Sequence, residues 1–147
     1  MKAPAKMKAM VLMGPQDIRV PPDPAQSAQW NRGAYLANGA GHCVECHSPR
    51  NALGAVVASL RFTGGPSPDG QGGVPNITQF KLKNWSAADI AGVLEDGMTP
   101  DADRVGGNMI EVVRNTSQLT AADRMAIAVY IKSLPAVEGR APPPEKK

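Results

Sequence analysis

The five residues Cys43-Val44-Glu45-Cys46-His47 restrict this chain more than any other feature. They form a C-x-x-C-H motif, which is the attachment sequence of covalently bound c-type haem. Two thiols three residues apart lie on one helical turn, so both can add to the vinyl groups of a single porphyrin, and His47 can then ligate its iron. The motif therefore predicts one haem c held by Cys43 and Cys46, with His47 as an axial ligand.

Other readings of the motif explain less of it. A thioredoxin-like C-x-x-C pair needs no histidine at the next position and follows a strand, whereas the residues before Cys43 are rich in glycine and alanine. A structural zinc site needs four ligands, and the chain has no second C-x-x-C to complete one. A disulfide between Cys43 and Cys46 would leave His47 without a role. Haem attachment is the interpretation that uses every residue of the motif.

Composition agrees with a small haem domain. A chain of 147 residues has room for about one domain, and only 4% of its residues are aromatic. A buried porphyrin would supply the large apolar group that such a core lacks. The net charge of +3, from 16 Lys and Arg against 13 Asp and Glu, is too small to indicate nucleic-acid binding, so no nucleic-acid partner is expected.

Three zones divide the chain. Five prolines in residues 1–26 predict an extended arm or linker. The pattern of residues 27–135 predicts a globular domain. The prolines and lysines of residues 136–147 predict a flexible tail. The first residues are basic, but the apolar run at 9–13 is too short for a secretion signal or a membrane span. We therefore expect either a processed form or a piece of a longer chain.

Helix signals dominate the globular zone. Ser27 can cap a helix that ends near Asn38-Gly39, Ser86 can open one that ends at Gly97, and Thr120 can open the last one. An Asp three residues after Ser86 and after Thr120 predicts a capping box at each. The last helix carries a buried stripe before Pro135, formed by Ile127, Tyr130, Ile131 and Leu134.

Between these helices, residues 64–73 hold five glycines, which predicts turns and no regular element. The fold class is therefore mostly α, with a long irregular loop in the middle of the chain. Such a loop is tolerated where a haem itself forms the core.

The second axial ligand must approach the iron from the face opposite His47. His42 directly precedes Cys43 and cannot reach that face, so a methionine is expected, which raises the reduction potential. Met125 lies off the stripe of the last helix, and Met98 precedes Thr99-Pro100. Met109 follows Gly106-Gly107-Asn108, whose small residues permit close approach to a porphyrin. We favour Met109 over Met98, and a five-coordinate iron is the remaining alternative. The other four methionines, Met1, Met7, Met10 and Met13, lie in the arm.

Longer stretches around the motif resemble a known family. The runs 32–39 and 41–51 are similar to class I cytochrome c domains of dihaem and trihaem bacterial cytochromes, and more closely to those of alcohol and gluconate dehydrogenase cytochrome subunits. Further similarity lies at 74–78, 84–86, 96–101 and 107–113. The resemblance implies covalent attachment at Cys43 and Cys46, with His47 as the proximal and Met109 as the distal ligand.

The same resemblance implies the class I cytochrome c fold. In that fold, three to five helices wrap round one haem, and the first and last helices cross beside it. We predict that Gly33 and Tyr35 meet Tyr130 at this crossing.

These residues predict an electron carrier rather than an enzyme. It would pass electrons between a periplasmic dehydrogenase or quinol-linked complex and a terminal acceptor, which can be another cytochrome or an oxidase. Its expected location is the periplasm, with membrane association through a partner, and a second haem domain nearby fits the proline-rich arm. The alternatives are an oxidoreductase subunit with chemistry at an open or labile sixth iron position, and an assembly module that docks through residues 1–26.

Several side chains outside the motif are candidates for propionate pairing or partner docking, although ordinary solvated charges are the commoner role for such residues. They are Arg50, Arg61, Lys81, Lys83, Trp85 and Asn76.

Overall fold

Six α-helices form in the part of the chain that the computed structural model describes, residues 20–67 and 69–140. The helices are α1 (Ala28–Tyr35), α2 (Cys43–Cys46), α3 (Gln79–Leu82), α4 (Ala87–Asp96), α5 (Met109–Thr116) and α6 (Ala121–Ser133). The mostly α prediction is confirmed. The predicted number of three to five helices is too low, because α2 and α3 are single turns of four residues that periodicity does not reveal.

The helix starts follow the predicted caps. Ser27 Oγ accepts a hydrogen bond from the Trp30 amide at 3.0 Å. At α4, Ser86 Oγ accepts from the Asp89 amide at 3.0 Å while Asp89 accepts from the Ser86 amide at 2.7 Å, which completes the capping box. Each cap satisfies an amide that the helix itself leaves unpaired.

The second predicted capping box is only half formed. Thr120 Oγ1 accepts from the Asp123 amide at 3.1 Å, but the Asp123 carboxylate accepts two hydrogen bonds from Arg32 at 2.8 and 3.0 Å. The carboxylate therefore joins α6 to α1 instead of closing its own helix.

The close contact of α1 with α6 depends on Gly33. A Cβ at this position would lie 1.9 Å from the Ala126 carbonyl oxygen and 2.9 Å from Tyr130 Cβ. The predicted contact of Gly33 with Tyr130 is confirmed. No larger residue fits there without moving one helix.

The prediction that Tyr35 joins this contact is wrong. Tyr35 is 40% exposed beneath the Arg32 guanidinium, and Trp30 is the α1 ring that meets Tyr130, at 5.1 Å between ring centroids. Two residues along a helix turn the side chain by about 200°, whereas three residues return it to the same face. Tyr35 therefore points away from the face that Gly33 and Trp30 share.

The core lies between α1, α4 and α6. A π-helical turn, Leu36–Ala40, extends α1 and buries Leu36 and Ala37. The predicted stripe of α6 is buried at Ile127, Tyr130 and Ile131, while Leu134 is half-buried just beyond the helix. The remaining large members of the buried cluster are Val44, Phe62, Ile90 and Leu94.

Residues 47–78 form the long irregular loop that the sequence predicts. It contains one 3₁₀ turn, Ala58–Leu60, and a two-stranded antiparallel ladder of β1 (Gly65–Pro66) and β2 (Gly73–Val74), in which Gly65 pairs with Val74. The prediction that residues 64–73 exclude any regular element is therefore wrong. The Ser67 amide donates to the Gly72 carbonyl at 3.1 Å, which brings the segments on either side together so that they can pair.

The ends of the described chain are tied to the domain. Asp23 and Asn31 exchange two hydrogen bonds, at 2.7 and 2.8 Å, which fastens residues 20–26 to α1. Val137 is bonded through its backbone to Asn76 and Thr78. The rest of the predicted arm, with Met1, Met7, Met10 and Met13, and residues 141–147 of the predicted tail lie outside the described residues.

Among the described helices, none combines the length and the apolar character needed to cross a membrane.

Candidate haem site

The two cysteines of the motif lie on the single turn of α2, as the spacing predicts. His42 precedes the turn with a left-handed backbone (φ 54°), and the His47 amide donates to the Cys43 carbonyl at 2.9 Å to close it. Cys43 is half-buried and Cys46 is exposed, and both thiols are free. Burial raises the pKa of the Cys43 thiol to about 11, so this group is protonated at neutral pH. Both sulfurs are thus available to form thioethers from the same side of a helix.

His47 is held in one orientation by the backbone of a distant residue. Its Nδ1 lies 2.8 Å from the Pro75 carbonyl oxygen. A carbonyl oxygen can only accept, so Nδ1 carries the ring hydrogen and Nε2 keeps its lone pair. Burial lowers the pKa of His47, although the bond to Pro75 opposes this shift. The imidazole is therefore neutral at neutral pH, with the tautomer that a metal-binding Nε2 requires.

Pro75 is positioned by a small network that the structure adds to the sequence analysis. Asn76 Oδ1 accepts from both the amide and the hydroxyl of Thr78, at 2.8 and 2.7 Å, and Asn76 Nδ2 donates to the Val137 carbonyl at 2.7 Å. Thr78 is only 1% exposed. Because Pro75 acts through its backbone, its side chain gives no signal of this contact; the polar residues Asn76 and Thr78 that follow it are the available clue to the network.

A second backbone contact fixes the other side of His47. The Gly64 amide donates to the His47 carbonyl at 2.7 Å, and the Phe62 amide donates to Ser48 Oγ at 3.0 Å. The irregular loop therefore wraps closely round the histidine, which explains why a segment without regular structure is nonetheless placed with precision.

Met109 opens α5 and packs, half-buried, against the core cluster. The residue before it, Asn108, donates its side-chain amide to Asp69 at 2.9 Å and so connects this end of α5 to the glycine-rich loop. Hydrogen bonds from neighbouring groups, first that of Ser67, lower the pKa of Asp69. Asp69 is therefore ionised at neutral pH, when it can accept from Asn108.

The other methionines have different surroundings. Met98 is half-buried in the turn between α4 and α5, where its amide donates to Asp96 Oδ1 at 2.8 Å and its backbone pairs with Arg104. Met125 packs against the core from α6. Met109 thus combines a core contact with a place at a helix start, whereas Met98 lies in a turn that its own local hydrogen bonds define.

Two of the candidate cations are engaged within the domain. Arg50 pairs with Glu45 of α2 and donates to the Gly54 carbonyl at 2.6 Å, and Arg61 donates to Asn38. These contacts brace the loop after His47 and the π-helical turn.

The remaining candidates divide between surface and core. Lys81 lies 5.7 Å from the centre of its neighbour's ring, Phe80, and Lys83 is exposed. Trp85 packs, half-buried, against the core, and His42 is exposed. Of these four residues, the two lysines and His42 are exposed and polar, so their side chains are accessible at the surface.

The donors present fit a covalently bound haem. The two free thiols share one helical turn, and a neutral imidazole with a defined tautomer follows them directly. A thioredoxin-like centre would need no oriented histidine, whereas an axial haem ligand needs this second hydrogen bond. Cys43, Cys46 and His47 would therefore hold the group, and Met109 stays the predicted second ligand.

Comparison with known proteins points the same way. The chain is 58% identical over 107 residues to a dihaem cytochrome c-type protein of Cereibacter sphaeroides, a match that covers 73% of this chain and 36% of that protein. It is 39% identical over 118 residues to the fructose dehydrogenase cytochrome subunit of Gluconobacter japonicus, covering 78% and 24%. It is 38% identical over 120 residues to the cytochrome c subunit of alcohol dehydrogenase (quinone) of Gluconobacter oxydans, covering 74% and 25%.

The matches thus span about a third or less of the length of these curated relatives. No protein-family model matches the chain. The resemblance to dihaem and dehydrogenase cytochromes that the sequence predicts is confirmed by these relatives.

Proposed function

We propose that this chain, which carries a c-type cytochrome domain similar to those of dihaem cytochromes and dehydrogenase cytochrome subunits, is a one-electron carrier with a single covalent haem c. The observation that carries the proposal is the His47 Nδ1 to Pro75 carbonyl bond, 2.8 Å long, directly after two free thiols on one turn. That bond leaves the lone pair of His47 Nε2 for a metal. The arrangement serves no purpose in a disulfide or a thioredoxin-like centre.

Each residue of the site would have a separate role in holding the cofactor. When bound, the haem supplies a one-electron Fe(III)/Fe(II) couple. Cys43 and Cys46 anchor it through thioethers, and Pro75 keeps the His47 ring in the orientation and tautomer needed for ligation. Met109 would supply a thioether sulfur as the second ligand, and a His/Met pair favours a high reduction potential. We propose that the helices take the class I arrangement, of which the contact of α1 with α6 at Gly33 is one element.

The relatives also suggest redox partners and a cellular location for this chain, which we propose here. Proteins named as dehydrogenase cytochrome subunits share this domain, so the proposed donor is a periplasmic dehydrogenase or a quinol-linked complex. The proposed acceptor is another cytochrome or an oxidase. A second haem domain beside this one is the arrangement that the dihaem relative supports. Membrane association, where it occurs, would go through such a partner.

The test is a redox titration of the chain produced with a c-type haem maturation system. We expect a reversible one-electron transition with one haem per chain, and a ferric band at about 695 nm that sulfur ligation of the iron gives. The variant with Cys43→Ala and Cys46→Ala is the control and should lose covalent haem. A chain that carries no haem after production with this system, or a haem that cannot be reduced and reoxidised reversibly, would refute the carrier function.

A second function has one observation in its favour. The first turn of α5 lacks a side-chain cap from Asn108, and its backbone hydrogen bonds measure 3.3 Å for Met109 to Gly106 and 3.2 Å for Ile110 to Gly107. A distal ligand on such a helix start could be displaced, which would open the sixth position for chemistry at the iron. Carbon monoxide added to the ferrous protein distinguishes the two. A carrier with firm methionine ligation keeps its spectrum, whereas an oxidoreductase subunit with a labile position shifts to the carbonyl form at once.

A further inference from the structure

Arg124 on α6 is the only charged residue that is buried in the described part of the chain, with 7% of its surface exposed. Its Nη1 donates to the carbonyls of Ser117 (3.1 Å) and Leu119, with Thr116 at 3.5 Å. Its Nη2 donates to Glu95 Oε1 at 3.1 Å. A buried charge is costly unless it is paired and hydrogen-bonded, and Arg124 has both kinds of partner.

The contacts of Arg124 lie at and just beyond the C-terminal end of α5, because Thr116 is its last residue, Ser117 is its C-cap and Leu119 follows in the next turn. The last carbonyls of a helix have no partner within it and form the negative end of its dipole, so a cation there is stabilising. The planar guanidinium reaches several carbonyls at once, which an ammonium cannot do. Thr116 adds a hydrogen bond from its hydroxyl to the Leu94 carbonyl at 2.6 Å. This end of α5 is therefore fastened to both α4 and α6.

The other end of α5 is held by different contacts, because Asn108 donates to Asp69 at 2.9 Å and Met109 packs against the core cluster. Its first backbone hydrogen bonds measure 3.2 to 3.3 Å, and Asn108 supplies no cap. An eight-residue helix is about 12 Å long and moves as a rigid rod. The position of Met109 at the start of α5 thus depends on the anchor at the far end of the helix as well as on its own contacts.

We propose that Arg124 is a positioning residue for the distal ligand: by clamping the turn that ends α5, from Thr116 to Leu119, against α4 and α6, it helps to set where Met109 meets the iron. The inference rests on the proposed function, because it takes Met109 as the iron ligand. Arg124 would not touch the haem, and its effect would pass through the helix.

The test compares Arg124→Lys with Arg32→Lys in the holoprotein. Arg32 is a suitable control because it also pairs with a carboxylate, that of Asp123 next to Arg124 on α6. Its ion pair joins α6 to α1, however, and does not involve α5. For Arg124→Lys we expect the ferric band at about 695 nm to weaken at least twofold and the midpoint potential to fall, because the lysine cannot span the carbonyls. Arg32→Lys should leave both unchanged. Equal bands in Arg124→Lys and the wild type would overturn the inference.

A merely structural role for Arg124 would lower stability without moving the potential of the folded fraction. If Arg124→Lys does not fold, the double variant Glu95→Gln with Thr116→Val weakens the same anchor from the α4 side. It should reduce the band in the same direction, and an unchanged band there would also overturn the inference. A wild-type protein that lacks the band altogether would instead refute Met109 ligation itself, so the two failures are distinguishable.

Discussion

The proximal and distal sides of the candidate haem site are fastened to the fold in different ways. On the proximal side, His47 is held at its ring by Pro75 and at its carbonyl by Gly64, with distances of 2.8 and 2.7 Å. On the proposed distal side, Met109 opens a helix without a side-chain cap, which is held by Asn108 and Asp69 at its start and by Thr116 and Arg124 at its other end. The proposed proximal ligand is therefore held by direct hydrogen bonds, whereas the proposed distal ligand is placed through a helix.

The largest expected effect separates the two methionine candidates of the distal side. Met109→Ala should abolish the ferric band at about 695 nm and lower the midpoint potential by on the order of 0.1 V, within the roughly 0.8 V range that axial ligands set. Met98→Ala is the matched control, since Met98 lies in the turn before α5, and it should leave both properties unchanged. Loss of the band in Met98→Ala and not in Met109→Ala would reverse the assignment of the distal ligand.

A pair of glycines tests whether the proximal side is the more tightly built. Gly64 (φ 81°) and Gly107 (φ 57°) both have a left-handed backbone that favours glycine. A Cβ at Gly64 would lie 2.4 Å from the Val74 carbonyl oxygen and 2.7 Å from the Pro75 carbonyl carbon, whereas a Cβ at Gly107 meets nothing within 4 Å. Gly64→Ala should therefore cost about 3 kcal/mol or more in unfolding free energy, and Gly107→Ala about 1 kcal/mol.

Denaturant unfolding of the two glycine variants makes this comparison. Gly64→Ala should also shift the midpoint potential, because the clash displaces the Pro75 carbonyl that holds His47. Equal losses of stability in the two variants would show that the proximal loop is no more tightly packed than the distal segment.

Thr78 tests the network behind Pro75. Thr78→Val keeps the shape of the buried side chain but removes the hydroxyl that donates to Asn76 and accepts from the Val137 amide. We expect a loss of about 1–3 kcal/mol in unfolding free energy, because polar groups inside the protein are left without partners. Ser117→Ala, which removes an exposed hydroxyl bonded to Arg114 on the distal side, should change stability by less than about 0.5 kcal/mol. A Thr78→Val protein as stable as Ser117→Ala would mean that the network does not support the site.

The smallest expected effect concerns the ion pair of Arg32 and Asp123, which belongs to neither side of the candidate haem site, and it depends on pH. The hydrogen bond from Arg32 lowers the pKa of the Asp123 carboxyl below its ordinary value, with burial opposing. A depressed carboxyl pKa stabilises the fold above the unfolded pKa of about 3.9, and the contribution is lost as the pH falls through the lower folded pKa. Asp123→Asn should thus cost about 0.2–1 kcal/mol at neutral pH and less below about pH 3. Chemical denaturation of the wild type and of Asp123→Asn at the two pH values measures the difference in unfolding free energy. This difference should be smaller at the lower pH, and an equal difference at both would contradict the prediction.

The same contrast explains what could be predicted from the sequence. The proposed proximal ligand follows from adjacent residues, because Cys43, Cys46 and His47 form one local motif. Ser27, Ser86 and Thr120 mark helix starts through their own side chains. The helix α5 was not predicted, because Asn108 provides no cap and the glycines before it indicate a turn.

Contacts between distant residues were also beyond local reasoning. The bond from His47 to Pro75 spans 28 residues, and that from Arg124 to Glu95 spans 29. A backbone carbonyl and a lone arginine within an apolar helix carry no spacing signal, so only the tertiary structure shows what they hold.

The most direct test of the central claim is the mass of the peptide that contains Cys43 and Cys46, taken from denatured protein matured in a cell that attaches haem c. The account predicts that this peptide carries one haem through both sulfurs and that no haem is released by acid and organic solvent. A peptide of unmodified mass, or one in which the two sulfurs form a disulfide, would contradict it.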